Sequence, residues 1–237
     1  MDNLGISQKF DFAGNKVRRS LDISGTEYTA FLPRLRGIED PEKNYFVSYL
    51  GSERETYIAP SSRRVTYIDL FSGGGGLSLG VNQSLNLFGF KPKCLAAVDM
   101  DAAALSLLKA NFNPLVTKAQ SVEDLVRYSV DLSGSIEDFV TKPTIVDSQI
   151  SQFKGKTDLL VGGPPCQGHS NLNNKTRRHD PRNLLYFIMP AFAAALEIPC
   201  VVIENVQSIT KASENVVGLT KDLLRSHGYS VQEKVLS

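Results

Sequence analysis

The pattern of apolar and polar positions changes near residue 64, and this change divides the chain into two parts. Residues 1–62 carry charges of both signs, scattered Gly and Pro, and little helical periodicity. Within them, residues 45–50 and 55–59 have strand-like patterns, and residues 51–54 are expected to turn between the two. We therefore predict an N-terminal extension, a small hairpin or a flexible arm over residues 1–62, followed by a domain over residues 63–237.

From residue 64 onward, short apolar runs alternate with helix-length segments, a pattern typical of a mainly parallel α/β sheet. Strands are predicted over residues 65–70, 94–99, 115–118, 158–161, 200–203 and 229–236. Helices are predicted over residues 77–88, 102–111, 182–196 and 214–226. Residues 129–157 are polar and irregular, and we expect them to form an insertion.

Composition narrows the class of protein only a little. A chain of 237 residues with 42% hydrophobic content and a formal net charge of +1 is ordinary for a globular protein. Binding to nucleic acid would need a local basic patch or a second polypeptide, because the whole chain supplies no positive field. Three widely spaced cysteines predict neither a disulfide framework nor a metal site. With no secretory signal or membrane span in the sequence, we expect a cytoplasmic protein.

Ligands of open α/β sheets bind beyond the carboxyl ends of the strands, so those ends are the first places to look for a site. The first predicted strand runs into a glycine-rich segment, Gly73–Gly76, where the chain can turn tightly and a ligand can approach the backbone. Asp99 ends the second strand, about 24 residues further on, a spacing at which an acid can bind ribose hydroxyls. The pair predicts a nucleoside-type cofactor, with NAD and S-adenosylmethionine (AdoMet) fitting equally well, or else a purely structural turn.

The fourth strand end carries a cysteine on a stiff loop. Pro164 and Pro165 fix the backbone immediately before Cys166. A thiol held rigidly beside a cofactor cleft is typical of a nucleophile, since a thiolate needs a fixed line of attack. The alternative, a buried structural cysteine, suits Cys94 and Cys200 within their apolar strands, whereas the sequence after Cys166 is polar.

The fifth strand delivers Glu204 and Asn205 to the same edge of the predicted sheet. A carboxylate at the mouth of a parallel sheet is expected to be partly desolvated, which suits it to proton donation. The alternative is that Glu204 caps the following helix.

Together these segments resemble the cytosine-5 DNA methyltransferase family. DLFSGGGGLSLG is similar to the family's AdoMet loop, VDMDAAALSLLKANF to its ribose-binding strand, and GGPPCQGHS to its nucleophile loop. RNLLYFIMPAF, VIENV and GYSVQEKVL resemble the segments that follow in the family's order, so the resemblance covers residues 64–237. It implies a Rossmann-like AdoMet-dependent methyltransferase fold acting on double-stranded DNA.

The resemblance also implies a role for each catalytic position. Cys166 would attack C6 of a cytosine flipped out of the duplex, and Glu204 would bind or protonate N3, so that C5 takes the methyl group from AdoMet. Asn205 would hold the loop of Glu204, and Pro165 would line the base pocket.

An AdoMet pocket follows from the same resemblance. Its expected residues are Phe71, Ser72, Gly73, Gly75, Gly76, Leu77, Asp99, Met100, Ser121 and Leu185. Asp99 would bind the ribose and Leu185 would pack on the adenine. Ser121 stands where the family usually has an aspartate that meets the adenine amino group, which leaves that contact open.

The polar loop after Cys166 is expected to contact DNA phosphates and to close over the flipped base. Its expected DNA-binding residues are Gln167, Ser170, Lys175, Arg177 and Arg178. The alternative is a solvated, charged loop without a ligand.

Three parts of the family are not found in the sequence: the Gln-x-Arg-x-Arg strand, the target-recognition domain and the final helix. The predicted sheet is therefore incomplete toward its C-terminal side, and the fifth strand has an open edge. We expect a split or truncated enzyme whose second polypeptide completes the sheet and reads the DNA. Alternatives are an RNA cytosine-5 methyltransferase and an inactive remnant that binds AdoMet or a partner; an NAD-binding protein explains neither Pro164-Pro165-Cys166 nor Glu204-Asn205.

Overall fold

The computed structural model describes residues 6–51, 63–130, 138–165, 185–206 and 216–235. It divides into two compact units: Met1–Arg64 with Asn82–Lys91, and Val65–Val81 with Pro92–Ser237. Within the described ranges, no helix has the length and apolar character needed to cross a bilayer.

The N-terminal unit contains an antiparallel sheet of three strands in the order β1-β2-β3. Its elements are β1 (Ile6–Ala13), β2 (Lys16–Ile23), β3 (Thr26–Pro33) and a helix, α1 (Pro41–Gly51). Two-residue turns join the strands, and the register is continuous along both pairs. Val17, Leu32 and Tyr45 form a small core between the sheet and α1.

The hairpin predicted within the N-terminal extension is wrong in its first arm. Residues 45–50 lie inside α1, because Tyr45 packs on the sheet and Asp40 accepts a hydrogen bond from the Lys43 N–H at the start of the helix, at 2.7 Å. The second arm, residues 55–59, and most of the predicted turn lie outside the described residues.

The second unit is built around a five-stranded parallel sheet in the order β10-β9-β4-β5-β6, which confirms the α/β prediction. From Arg64 onward the elements of the chain, of which the second half of α2 belongs to the N-terminal unit, are β4 (Arg64–Leu70), α2 (Gly76–Leu87), β5 (Lys91–Asp99), α3 (Ala102–Phe112), β6 (Val116–Ala119), β7 (Val126–Ser129), β8 (Thr141–Ile145), α4 (Ser148–Ser151), β9 (Leu159–Gly162), α5 (Leu185–Leu196), β10 (Cys200–Ile203) and α6 (Val216–Ser226).

The apolar runs predicted as strands form the centre of the hydrophobic core. Ile68, Leu70, Val98 and Leu160 are buried in the sheet, and α5 packs on them with almost every side chain buried. A parallel sheet covered on both faces produces continuous apolar strands, and a helix that is apolar all round is one that lies in the core.

The insertion predicted over residues 129–157 is more regular than expected. β7 and β8 pair antiparallel, and α4 follows with Asp147 as its N-cap. The ladder has an irregularity between Arg127 and Ser129, so this short strand pair lacks the regular alternation by which strands are recognised in a sequence.

Residues 229–236 were predicted to form a strand, and this is wrong for the described part, residues 229–235. β10 ends the sheet on this side among the described residues, and the segment does not pair with its outer edge. Side chains hold it instead: the Tyr229 hydroxyl donates to the Ile198 carbonyl, and Lys221 pairs with Glu233 at 2.6 Å.

Candidate active site at the carboxyl ends of the strands

The loop between β4 and α2 is shaped by backbone conformations that most side chains avoid. Phe71, Gly73 and Gly75 all have positive φ angles, of 55°, 49° and 95°. A Cβ added at Gly75 would lie 2.6 Å from the ring of Phe112 on α3. Only glycine fits this position, and the non-glycine residue Phe71 in the left-handed region marks a conformation that the surrounding structure must hold.

Asp99, the predicted ribose-binding acid, also braces the glycine-rich loop. Its two carboxylate oxygens accept hydrogen bonds from the Gly73 N–H at 2.7 Å and the Asp101 N–H at 2.8 Å. Met100 follows it with 76% of its surface exposed. The structure therefore brings the ends of β4 and β5 together as the sequence predicted.

Asp69 lies in β4, just before the glycine-rich loop, and nothing in its apolar strand singled it out in the sequence. It is fully buried at the end of β4, and the Ser78 hydroxyl on α2 donates to its Oδ2 at 2.5 Å. Burial raises the pKa of Asp69 to about 6, and the nearby Asp99 carboxylate adds to this, while hydrogen bonds from Ser78 oppose it. Among the described residues, Asp69 Oδ1 and the buried Ser72 hydroxyl have no hydrogen-bond partner.

The second half of the site is formed by the segments that follow β9 and β10. The Glu204 N–H donates to the Gly162 carbonyl at 3.0 Å, which extends the parallel ladder by one residue. A Cβ added at Gly163 would lie 3.0 Å from Glu204 Oε2. The absence of a side chain at Gly163 is therefore what lets the Glu204 carboxylate approach this loop.

Asn205 ties the two segments together. Its side-chain N–H groups donate to the Pro164 carbonyl at 3.3 Å and to the Tyr186 hydroxyl at 3.1 Å. Its side-chain oxygen, Oδ1, accepts a hydrogen bond from the Val206 N–H at 2.7 Å. Tyr186 is buried on α5, and its role could not be predicted because the sequence does not show which helix residue faces the loop.

Glu204 departs from the sequence expectation in one respect. It is exposed in the structure rather than partly desolvated. β10 is an edge strand among the described residues, so its C-terminal end has a neighbouring strand only on the β9 side. Cys200, at the other end of β10, is exposed for the same reason, although we expected it to be buried; Cys94 is buried as predicted.

The other predicted cofactor residues are spread along this edge. Gly76 and Leu77 begin α2, and Leu77 packs beside Tyr67 and Ala97. Ser121 follows β6, where its hydroxyl accepts from the Glu123 N–H at 3.3 Å and caps a short 3₁₀ turn. Leu185 starts α5 and packs against the main core, half-buried.

Pro165 is exposed and is the last described residue before the nucleophile position. Cys166 itself lies outside the described residues, as do the residues predicted to contact DNA: Gln167, Ser170, Lys175, Arg177 and Arg178. Their predicted roles stay predictions. In the part of the chain that the structure describes, no three His, Cys, Asp or Glu side chains are grouped so that they could hold a metal ion.

The described geometry can accept a nucleoside-type ligand. The glycine-rich loop has a backbone open to close approach, Asp99 carries a partly buried carboxylate beside it, and the Ser72 hydroxyl still lacks a partner among the described residues. Glu204 lies on a neighbouring loop, where it can exchange a proton with a second ligand.

The chain is similar in sequence to proteins of known family. A model of the family of C-5 cytosine-specific DNA methylases matches residues 65–237. The type II methyltransferase M1.BsuMI of Bacillus subtilis strain 168 is 32% identical over 225 residues, which are 93% of this chain and 51% of that protein. The type II methyltransferase M.AgeI of Thalassovita gelatinovora is 33% identical over 150 residues, 63% of this chain and 30% of that protein.

A crystal structure provisionally described as a prophage-encoded DNA modification methyltransferase of E. coli is also similar. It is 27% identical and covers 68% of this chain and 37% of that chain, with a TM-score of 0.45. The chain spans about half the length of M1.BsuMI and a smaller share of M.AgeI.

Proposed function

We propose that this chain, which belongs to the C-5 cytosine-specific DNA methylase family, carries the AdoMet-binding and cytosine-activating part of a DNA methyltransferase. The observation that supports this most is the link between the loops after β9 and β10. Asn205 joins them. Gly163, which is three residues before Cys166 in the sequence, leaves room for the Glu204 carboxylate. The proposal accounts for why a proline-stiffened cysteine and a glutamate follow neighbouring strands.

AdoMet is the methyl donor of this family, and the first half of the site has the features to hold it. Asp99 would accept hydrogen bonds from the ribose while its bond to the Gly73 N–H keeps the loop in place. Phe71, Ser72 and Gly75 would shape the pocket, Gly76, Leu77 and Met100 would border it, and Ser121 and Leu185 would face the adenine. When bound, AdoMet supplies an electrophilic methyl group.

The second half of the site would make C5 of cytosine nucleophilic. The Cys166 thiolate adds to C6 while Glu204 places a proton on N3, and the displaced electron pair becomes available at C5 as an enamine. C5 would form its bond to the methyl carbon with this pair, while the methyl–sulfur bond breaks and S-adenosylhomocysteine leaves. Transfer of the C5 proton to water then restores the C5–C6 double bond and expels Cys166 as the thiolate, and the N3 proton returns to Glu204.

The remaining residues of the site would position these groups. Asn205 holds the Glu204 segment against Pro164, and Pro165 would line the pocket of a cytosine extruded from the duplex. Gln167, Ser170, Lys175, Arg177 and Arg178 would contact the DNA backbone around the extruded base.

We further propose that a second polypeptide pairs with β10. The support is the edge itself: among the described residues β10 has a neighbour only on its β9 side, and Val202 on it is 46% exposed. An apolar, unpaired edge is a ready template for another strand. The expected result is that Val202→Glu prevents complex formation in size-exclusion chromatography while AdoMet binding persists; a wild-type chain that is active as a monomer would contradict it.

Methyl transfer from labelled AdoMet tests the proposed activity directly. Duplex DNA and transfer RNA are offered separately, to the chain alone and with the partner. We expect label in 5-methylcytosine of DNA, its loss in Cys166→Ala, and a reduction of about a hundredfold or more in Glu204→Gln. Cys94→Ala is the matched control, because burial raises the pKa of that thiol to about 12 and leaves it unreactive.

Each other outcome of this experiment points elsewhere. Label in transfer RNA but not in DNA would establish an RNA methyltransferase. AdoMet binding without transfer to either acceptor, with the partner present, would establish an inactive binding protein.

A further inference from the structure

The N-terminal sheet has two faces of different character, and the cross-strand register assigns each residue to one of them. Phe10, Phe12, Val17 and Leu32 share the face that packs on α1. Because side chains alternate along a strand, their neighbours in sequence lie on the opposite face. That opposite face carries Phe31, which is 43% exposed.

Positive charge is concentrated at one end of this second face. Lys9, Lys16 and Arg18 lie on it, with Lys16 Nζ 5.9 Å from the centre of the Phe31 ring. Among these three residues and their cross-strand partners, Asp11 is the one carboxylate. Asp22 and Glu27, which are cross-strand partners, lie at the far end. We call Lys9, Lys16, Arg18 and Phe31 the basic sheet face.

Arg18 is held in a fixed orientation on this face. Its Nε and Nη2 donate to the two oxygens of Asp11 at 2.8 and 2.6 Å, in a bidentate pair. A planar guanidinium held by a carboxylate loses less conformational freedom when it contacts a phosphate or a base edge. The pair therefore fixes the direction of the guanidinium on this face, while Asp11 offsets part of its charge.

A second cationic segment borders the same end of the sheet. Arg36 is exposed on the loop after β3. Arg34 on the same loop donates its N–H to the Asn15 carbonyl at 2.9 Å, but its guanidinium lies 3.8 Å from the centre of the Phe12 ring, on the face that packs on α1. Asn44 of α1 fixes this loop, because its amide bonds both the N–H and the carbonyl of Leu35 at 3.0 and 2.8 Å. Glu39 and Asp40 follow, and Asp40 is engaged at the start of α1.

We propose that the basic sheet face, with Arg36 on the adjoining loop, is a binding surface for duplex DNA. Three strands spaced about 4.8 Å apart place the axes of the outer strands roughly 10 Å apart, comparable with the major-groove width of about 12 Å, so basic side chains on this face can reach the phosphates that border the groove. Double-stranded RNA has a deep, narrow major groove that would exclude the sheet. This surface belongs to the N-terminal unit and requires neither AdoMet nor Cys166, so it goes beyond the proposed catalysis.

Fluorescence anisotropy with a labelled DNA duplex of mixed sequence, without AdoMet, tests this surface. The variant is Lys9→Gln/Lys16→Gln in the full chain, compared with wild type from 50 to 200 mM salt. Each phosphate contact contributes about 0.9 to the slope of log K against log salt. We expect the variant to lose about two such contacts, which lowers the slope by about 1.8 and weakens binding at least about fivefold at the higher salt.

The matched control removes two lysines from other surfaces. Lys43 is exposed on α1, and Lys156 is exposed just before β9, at the amino ends of the parallel strands. Lys43→Gln/Lys156→Gln should bind DNA as wild type does. Circular dichroism and thermal unfolding of both variants check that the sheet is intact.

Several results would overturn the inference. They are no duplex binding by the wild-type chain, an equal loss in both double variants, or tighter binding to an RNA duplex than to a DNA duplex. Phe31→Ser gives an independent check: we expect weaker binding to the duplex with an unchanged salt slope, and an unchanged affinity would contradict a role for this face. Because AdoMet is absent, these results are separate from any failure of methyl transfer.

Discussion

At the scale of single residues, the site depends on a few positions where a small change in volume or charge has a specific effect. Asp69 and Gly163 are two of them, and neither was singled out by the sequence. Their importance arises from contacts across the chain: Asp69 with Ser78, and Gly163 with Glu204. Asp99 and Glu204 could be predicted, because each ends a recognisable strand.

Asp69→Asn should change how stability depends on pH. The folded state holds the Asp69 proton up to about pH 6, whereas the ordinary value is 3.8, so this group favours folding at low pH and the advantage is lost as pH rises through 6. Between pH 5 and 8 the wild type should lose about 1.4 kcal/mol more than Asp69→Asn. Urea unfolding at both pH values measures this, and Asp124→Asn, an exposed carboxyl, should behave like wild type. If the free energy of unfolding changed equally with pH in wild type and in Asp69→Asn, the proposed effect of burial on the pKa of Asp69 would be refuted.

Gly163→Ala should reduce methyl transfer and leave cofactor binding intact. The new Cβ would lie 3.0 Å from Glu204 Oε2, so the carboxylate must move by a few tenths of an ångström. A loss of about tenfold in kcat is expected from such a displacement, since proton transfer depends on geometry. Gly80→Ala, on α2 with open space around its Cβ position, is the matched control. If Gly163→Ala retained full activity, the proposed position of Glu204 would be wrong.

At the scale of elements, α5 connects the core to both loops of the second half-site. Tyr186 is buried near its N-terminus, and its hydroxyl accepts a hydrogen bond from Asn205. The side chain of Tyr186 therefore links α5 to the segment that carries Glu204. The apolar residues of α5 pack in the core at the same time.

Tyr186→Phe tests this connection by removing a single oxygen. Loss of one hydrogen bond is worth about 1 kcal/mol, so we expect kcat to fall about fivefold with little change in KM for AdoMet. Tyr229→Phe, which removes the bond to the Ile198 carbonyl elsewhere in the unit, is the control and should retain kcat. Equal effects of the two variants would assign Tyr186 a structural role only.

The sequence predicted the parallel strands well and the N-terminal sheet poorly, for physical reasons. Buried parallel strands are continuous apolar runs, and β10 was predicted to the residue. β1 to β3 bury only one face over a small core, so their apolar signal is diluted by charged residues such as Lys9 and Arg18. Residues 229–235 alternate like a strand, but they pair with no described strand, because alternation alone does not decide which partner a segment takes.

At the scale of the whole molecule, the two units divide the proposed work. The parallel sheet gathers the groups for AdoMet and cytosine at one edge, while the N-terminal sheet presents Lys16, Arg18 and Phe31 on a face of its own. The formal net charge of +1 is consistent with DNA contacts that come from local patches rather than from the chain as a whole. The open edge of β10 is where we expect a further strand.

The proposed attack of Cys166 on C6 of cytosine in DNA is tested most directly by trapping the covalent intermediate. With 5-fluorocytosine in the duplex and AdoMet present, methylated C5 carries fluorine in place of the proton, so Cys166 cannot be expelled and the protein stays bonded to DNA. We expect an adduct that resists denaturation, with its peptide attached through Cys166 in mass spectrometry, in the chain alone or with its partner. No adduct under either condition, or an adduct that persists in Cys166→Ser, would contradict the account.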